Sequence, residues 1–428
     1  MNHSAVPTRA AADYTALVQP GRIHGSLYTD RDIFAEEMET IFHRGWVYVA
    51  HGSELPDAGS FVTRKIGLQS VIVARDATGQ VNVMYNRCTH RGATVCQRDK
   101  GQRPTFTCPY HAWSFAMDGR LVGVPAADAY PAEFDKAKLG LAHVAQVDSY
   151  AGFIFANLAA GGKSLRAHLG PGLRFFDQLV GLSPEGEISL TAGWMKHRMR
   201  CNWKVVLENQ VDGYHAQAVH GSLLAANNSF ATVRDRKHSS PARVQDVGMG
   251  HTDIDHASDY LTGERLFRWT GGAPESKFPD YIAAMEHSYG VAEGRRRLIA
   301  GPPHSMIFPN ISLAELNIMV IQPVSPTETI HISTPVFFKG ADELNRRTLR
   351  RSEGAIGPAG FLIADDSEIG ELNQMGLSNR QPEWVELSRG ISSEEIREDG
   401  SRVAGLMDET TQRGFWRQYR TVMAAGAR

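Results

Sequence analysis

Apolar residues Ile33, Phe34, Met38, Ile41 and Phe42 recur at helical spacing between positions 29 and 44, which predicts a helix with Thr29 as N-cap and acids in its first turn. From 45 to 157 the texture changes. Short apolar runs (WVYVA, SVIVA, VNVMY, GFIFAN) alternate with Gly, Asp, Pro and Asn clusters, the pattern of strands joined by turns. The Gly-rich stretch AAGGKSLRAHLGPGL predicts a crossing between domains. Beyond it the pattern mixes strands (EISLTAGWMKHRMR, HSMIFPNISLAELNIMVIQPV, ETIHISTPVFF) with helices near 202–220, 341–354 and 366–374. A final helix carries Phe415, Trp416, Tyr419, Val422 and Met423. Residues 221–272 are polar and irregular, either a cover over a cavity or a surface excursion. The expected class is α+β, with a small all-β domain and a larger domain built on a central antiparallel sheet flanked by helices. The expected divisions are a leader and helix over 1–44, the β domain over 45–158 and the larger domain over 159–428.

Composition narrows the function classes. The 428 residues include 42% hydrophobic and 21% charged positions, ordinary for a globular chain. The 45 Lys and Arg against 47 Asp and Glu make no basic field for nucleic acid. The N-terminus lacks a secretion signal and no stretch approaches the roughly 18 apolar residues of a membrane span, so a cytoplasmic protein with no membrane partner is expected. In such a compartment the four cysteines, Cys88, Cys96, Cys108 and Cys201, stay reduced and serve metals or simple burial.

Two of them stand in a pattern. Cys88-x-His90 and Cys108-x-x-His111 are separated by seventeen residues, one Cys and one His on each of two turns. Such a set suits a [2Fe-2S] cluster whose irons are held by two thiolates and two imidazoles. A Cys2His2 zinc site is the rival, although zinc fingers bring two like ligands per arm. Chance proximity is the bland alternative. Cys96 and Cys201 are read as small buried hydrophobes.

The segment NRCTHRGATVCQRDKGQRPTFTCPYHAWSF, with Arg91-Gly92 after the first His and Trp113 after the second, resembles the Rieske domain of aromatic-ring-hydroxylating oxygenases. The resemblance implies Cys88, His90, Cys108 and His111 as cluster ligands.

A second constellation, NWKVVLENQVDGYHAQAVHGSL, concentrates Glu208, Asn209, Asp212, His215 and His220 in an otherwise apolar run. His215 and His220 are about 140° apart on a regular helix, so an irregularity is expected between them. Two histidines on a helix are more often core or surface residues. Beside an electron-transfer domain, however, they suggest iron that needs one carboxylate to complete a two-His-one-carboxylate triad. Asp365 and Asp366 open a predicted helix, where an N-capping role is the simpler reading. The segment GPAGFLIADD resembles the family's third-ligand segment and implies Asp366 as the ligand. Glu-Asn-x-x-Asp-x-Tyr-His-x4-His likewise resembles its iron motif, implying His215 and His220 as ligands. It also implies Asp212 as an acid that contacts a cluster His, His111, of a neighbouring subunit.

The resemblance therefore implies the catalytic α subunit of an oxygenase with a [2Fe-2S] cluster and one Fe(II). The texture of THRGATVC and GRLVGVPAADAYPAEFD looks nearest to the cumate, benzoate and terephthalate group. Expected partners are O2, an aromatic substrate with or without a carboxylate, and an NAD(P)H-dependent reductase with or without a ferredoxin, because no Gly-rich dinucleotide fingerprint is evident. A homotrimer, with or without a small β subunit, is expected too. Dihydroxylation, monohydroxylation and dealkylation stay open, as does a plain electron carrier. Asn209 and Leu362 are candidate pocket residues; Arg234, Arg236 and Lys237, or Arg295 to Arg297, are candidate anchors for a substrate carboxylate.

Overall fold

The computed structural model describes residues 12–221, 241–357 and 360–426. The first long helix begins one residue later than its sequence suggests. Asp30, not Thr29, accepts from the backbone N–H groups of Asp32 and Ile33, since its carboxylate reaches both orphan donors. The α-helix runs over Arg31–Glu37 and widens into a π-turn over Met38–Phe42. The five expected apolar residues are all buried.

The β domain holds three small antiparallel sheets. Strands Val81–Tyr85, Gln69–Arg75, Ser60–Ile66 and Lys100–Gln102 form one in that order, and Leu121–Gly123, Ser114–Ala116 and Thr105–Thr107 form the second. The third joins Gln146–Tyr150, Phe153–Asn157 and Val47–His51, and serves two cores at once because side chains alternate across a strand. Tyr48, Phe153 and Phe155 pack with Leu165, Leu169 and Phe176 of the following segment, while Val47, Val49 and Ile154 join the core that receives the C-terminal helix. Asn310 completes this weld: its amide accepts from Tyr48 N at 3.0 Å and donates to Tyr48 O at 3.1 Å.

The larger domain is built on nine antiparallel strands. Their order is Met195–Met199, Glu328–Pro335, Asn317–Ser325, Ile311–Ala314, His304–Ile307, His251–Asp255, Arg243–Gly248, Arg402–Gly405 and Glu395–Ile396. Helices Trp203–Gln210, Ile363–Leu377 and Thr410–Gly426 flank the sheet. The Gly-rich stretch after 158 carries a short helix, Leu165–Leu169, whose Leu165 and Leu169 are buried. One sequence expectation fails here. The polar 221–272 region supplies two central strands whose Val244 and Ile254 are buried, while 222–240 lie outside the described residues. Its polar look has a physical source: Gln245, Asp246 and Asp253 are buried as well, satisfied by partners such as Arg174, Arg417 and Ser305. Among the described residues no helix is long and apolar enough to cross a membrane.

Candidate metal centres

The first constellation lies on two loops with the same backbone wiring. In one, Cys88 N donates to Ala93 O at 2.8 Å and Gly92 N to Cys88 O at 2.9 Å; in the other, Cys108 N donates to Trp113 O at 2.8 Å and Ala112 N to Cys108 O at 3.0 Å. Each loop turns through a left-handed residue, Gly92 at φ +77° and Ala112 at φ +56°. The loops meet at their tips. Cys88 and Cys108 are buried free thiols, and the rings of His90 and His111 lie 4.6 Å apart. Trp113 stacks on His90 at 4.7 Å and Tyr110 on His111 at 3.8 Å, fixing both imidazoles. Burial raises the Cys88 thiol above its usual range, and the backbone N–H groups of His90 and Arg91 oppose this by favouring a thiolate. Nδ1 of His90 is buried without a hydrogen-bond partner. Two inward thiols, two converging imidazoles and N–H donors facing sulfur fit a cluster better than an apolar core.

The second constellation is assembled from two distant segments. The Trp203–Gln210 helix ends, residues 211–215 turn, and a single helical turn, Ala216–Val219, follows. His215 opens that turn and His220 closes it at φ −92°, ψ 30°, the expected irregularity. Both rings consequently face Asp366 in the first turn of Ile363–Leu377. Asp366 Oδ1 lies 3.5 Å from His215 Nε2 and 3.3 Å from His220 Nε2. One ligand atom from each of the three residues falls within 4.8 Å of the others. Asp366 does not cap its helix, whose N-cap is Leu362; its carboxylate is free for the histidines, with Asn209 Nδ2 donating to it at 3.3 Å.

Electrostatics mark this cleft as a place for a cation. Burial disfavours the charge on Asp366, but the two histidines hold its carboxyl down to about 2. Burial also disfavours charge on His215, yet Asp212 and Asp366 outweigh it and lift the imidazole to about 9. A carboxylate held ionised beside two imidazoles, one of them drawn toward its charged form, is a donor set that suits a divalent cation. His220 Nδ1 and Asp365 Oδ2 are buried without hydrogen-bond partners. The residues fit a mononuclear metal of the non-haem iron type.

Asp212 lies behind His215, its Oδ2 3.3 Å from Nδ1 but poorly aligned for a hydrogen bond. It borders two spaces: the metal cavity of about 280 Å³ and a groove of about 840 Å³ on the other side. Glu208, one of the ligand-type residues of the motif, does not join the triad. Its carboxylate accepts from Tyr28 Oη at 3.0 Å and from Trp416 Nε1, and burial raises it to about 7.

Comparison with known proteins agrees with this geometry. Residues 45–148 match the Rieske [2Fe-2S] domain, and 189–425 match the ring hydroxylating alpha subunit catalytic domain. This chain belongs to the ring-hydroxylating oxygenase α subunits. As such it is a Rieske non-haem iron oxygenase that works with a [2Fe-2S] cluster and a mononuclear iron, which removes the zinc and plain-carrier readings. The oxygenase is 32% identical to the anthranilate 1,2-dioxygenase large subunit of Acinetobacter baylyi, over 86% of this chain and 80% of that one. It is 33% identical to the α subunit of an N,N-dimethyl phenylurea N-demethylase of Sphingobium sp., over 93% and 91%. Naphthalene 1,2-dioxygenase with indole bound in its active site superposes at a TM-score of 0.83 and 25% identity, covering 96% and 95% of the two chains.

The oxygenase's metal cavity has an apolar side of Ile254, Ala314, Met319, Ile356, Leu362 and Ile363, so both sequence-derived pocket residues, Asn209 and Leu362, line it. Of the proposed carboxylate anchors, Arg295, Arg296 and Arg297 do not. Arg295 pairs with Glu286 and Glu275, and Arg296 and Arg297 pair with Glu293. Arg234, Arg236 and Lys237 lie outside the described residues. Among the described residues the Lys or Arg that lines the cavity is Arg351, which sequence reasoning missed: it sits in an ordinary charged helix, with only the distant turn residue Glu315 to single it out.

Proposed function

We propose that this oxygenase uses O2 and electrons from a separate NAD(P)H-dependent reductase, with or without a ferredoxin, to cis-dihydroxylate a monocyclic aromatic that carries a polar substituent, such as a carboxylate. The observation that carries the reading is the convergence of His215, His220 and Asp366 on a cavity lined in part by apolar side chains. Cys88, His90, Cys108 and His111 hold the cluster; His215, His220 and Asp366 hold the iron. When bound, the cluster supplies electrons one at a time and the iron binds and activates O2. The rest is done by side chains. Asn209 steadies the Asp366 carboxylate, and Asp212 keeps the His215 ring turned toward the metal. Met319, Ile356 and Leu362 present the ring face of the substrate and exclude water. Similarity to an N-demethylase favours a second reading, oxidative dealkylation with the same residues, in which the substrate is turned to present an N-alkyl group.

Electron delivery in this reading is between subunits. His111, flanked by the exposed Tyr110, is carried on a loop tip that docks in the groove beside Asp212 of a neighbouring chain, which makes a closed ring of three the working assembly. Anaerobic purification with iron and sulfide analysis tests the metal assignments. About three irons and two labile sulfides per chain are expected, and His215→Ala should lose one iron while keeping the cluster's visible spectrum. Full iron retention by the variant would refute the assignment of His215.

A further inference from the structure

The polar part of the metal cavity's wall, besides the metal-binding side chains and their neighbours, comprises Gln210, His256, His304, Glu315 and Arg351. Resting on the oxygenase reading of that cavity, we propose that this wall recognises a substrate substituent offering both a hydrogen-bond acceptor and an N–H donor, as in an aryl urea, an anilide or an aminobenzoate.

Hydrogen bonds along this wall are unfinished. Arg351 meets Glu315 through Nη2 alone, rather than as a two-pronged fork, and its Nη1 is buried without a partner. Among the described residues no other side chain bonds Glu315. Gln210 is used on one end only: its Oε1 accepts from Ser312 Oγ, and its amide nitrogen is buried and unsatisfied. His304 Nε2 lies 2.8 Å from Gln210 O, and since a carbonyl can only accept, Nε2 carries the proton. In the neutral ring Nδ1 is therefore a bare acceptor, and it too has no partner. The wall thus holds two unfilled donors, Arg351 Nη1 and Gln210 Nε2, beside one unfilled acceptor, His304 Nδ1, and the Glu315 carboxylate, which Arg351 meets through one nitrogen. Buried polar groups are rarely left so in native proteins, and a cluster of them facing one cavity points to a ligand that completes them.

The backbone supports the same conclusion. Ala314 pairs with Asn317, so Glu315 and Leu316 form a two-residue hairpin turn, and Glu315 stands at φ +58° where glycine is favoured. A charged residue kept in a strained position on a cavity wall is serving something other than the turn. The charge balance narrows the class. A bare carboxylate would gain Arg351 but face Glu315, while a hydrocarbon would leave Arg351 Nη1, Gln210 Nε2 and His304 Nδ1 unpaired. A urea or amide carbonyl satisfies Arg351 or Gln210 while its N–H satisfies Glu315 or His304. The cavity of about 280 Å³ is near the lower limit of small-molecule sites, roughly 300 Å³, and suits one substituted ring.

Calorimetric titration of the oxidised, iron-loaded enzyme with phenylurea, benzoate and toluene tests the proposal without turnover. Phenylurea is expected to bind about tenfold or more tightly than either of the others. Arg351→Met and Glu315→Gln should each remove most of that advantage and leave toluene binding unchanged. Glu315→Gln keeps the side-chain shape and an oxygen that can accept from Arg351, so it should keep a melting temperature near that of the parent while losing discrimination, which separates recognition from folding. Benzoate as the tightest ligand, equal affinities for all three, or variants that keep the phenylurea preference would overturn the proposal. Iron and sulfide measured on the same samples report on the oxygenase reading separately.

Discussion

At the scale of single residues, the cluster loops show how little side chain a left-handed position tolerates. Gly92 and Ala112 occupy equivalent places in the two loops, yet only one is glycine. A left-handed conformation costs a residue with a Cβ about 1–2 kcal/mol, so Ala112→Gly is expected to stabilise the holo protein by about 1 kcal/mol and Gly92→Ala to destabilise it similarly. Thermal melting followed by cluster absorbance reads both changes, and a lowered midpoint for Ala112→Gly would contradict the equivalence. In the Gly92 variant the added Cβ would lie 3.3 Å from Arg87 Nε, the movable end of a long side chain, so backbone strain rather than a clash sets the cost.

At the scale of elements, a buried charge network positions the helix that leads to the histidines. Lys204 Nζ lies 2.6 Å from Glu37 Oε1 with both side chains fully buried, and Glu37 also accepts from Trp203 Nε1 at 2.8 Å and Tyr419 Oη at 2.6 Å. Three elements, Arg31–Glu37, Trp203–Gln210 and Thr410–Gly426, meet at this one carboxylate. Burial lowers the Lys204 amine from its usual range, and Glu37 is what favours its charge. Glu37→Ala therefore leaves an uncompensated ammonium and should cost about 3–5 kcal/mol, read from denaturant unfolding. A loss under 1 kcal/mol would mean that the helices are held by apolar packing alone. The expected helix over 202–220 breaks in two for a related reason: Val211 is drawn into the core and Asp212 turns outward, which carries His215 round to Asp366.

At the scale of the whole molecule, Asp212 stands between the metal cavity and the outer groove, where a docked neighbour would reach His215 through it. Asp212→Asn keeps the shape but removes the charge. It is expected to retain both metals and substrate affinity while slowing turnover by about tenfold or more, with the loss located in cluster reoxidation during a single turnover. Wild-type turnover by Asp212→Asn, or full activity in a strictly monomeric preparation, would overturn delivery between subunits.

Sequence alone determined the parts that depend on local chemistry. Cys-x-His and Cys-x-x-His spacing, the strand pattern of the β domain, the amphipathic C-terminal helix and the density of ligand-type residues around His215 are all short-range, because covalent spacing and side-chain periodicity need no tertiary contact to be read. Asp366 was legible only by resemblance, since an Asp at a helix start has a commoner use as a cap. Tertiary structure decided which residues meet across the chain. It turned Glu208 away toward Tyr28 and Trp416, made central strands of the polar 243–255 stretch by satisfying its buried Gln and Asp side chains, and brought Arg351 to Glu315 on the cavity wall. Those outcomes rest on long-range packing and on pairing buried polar groups, which no window of the sequence contains.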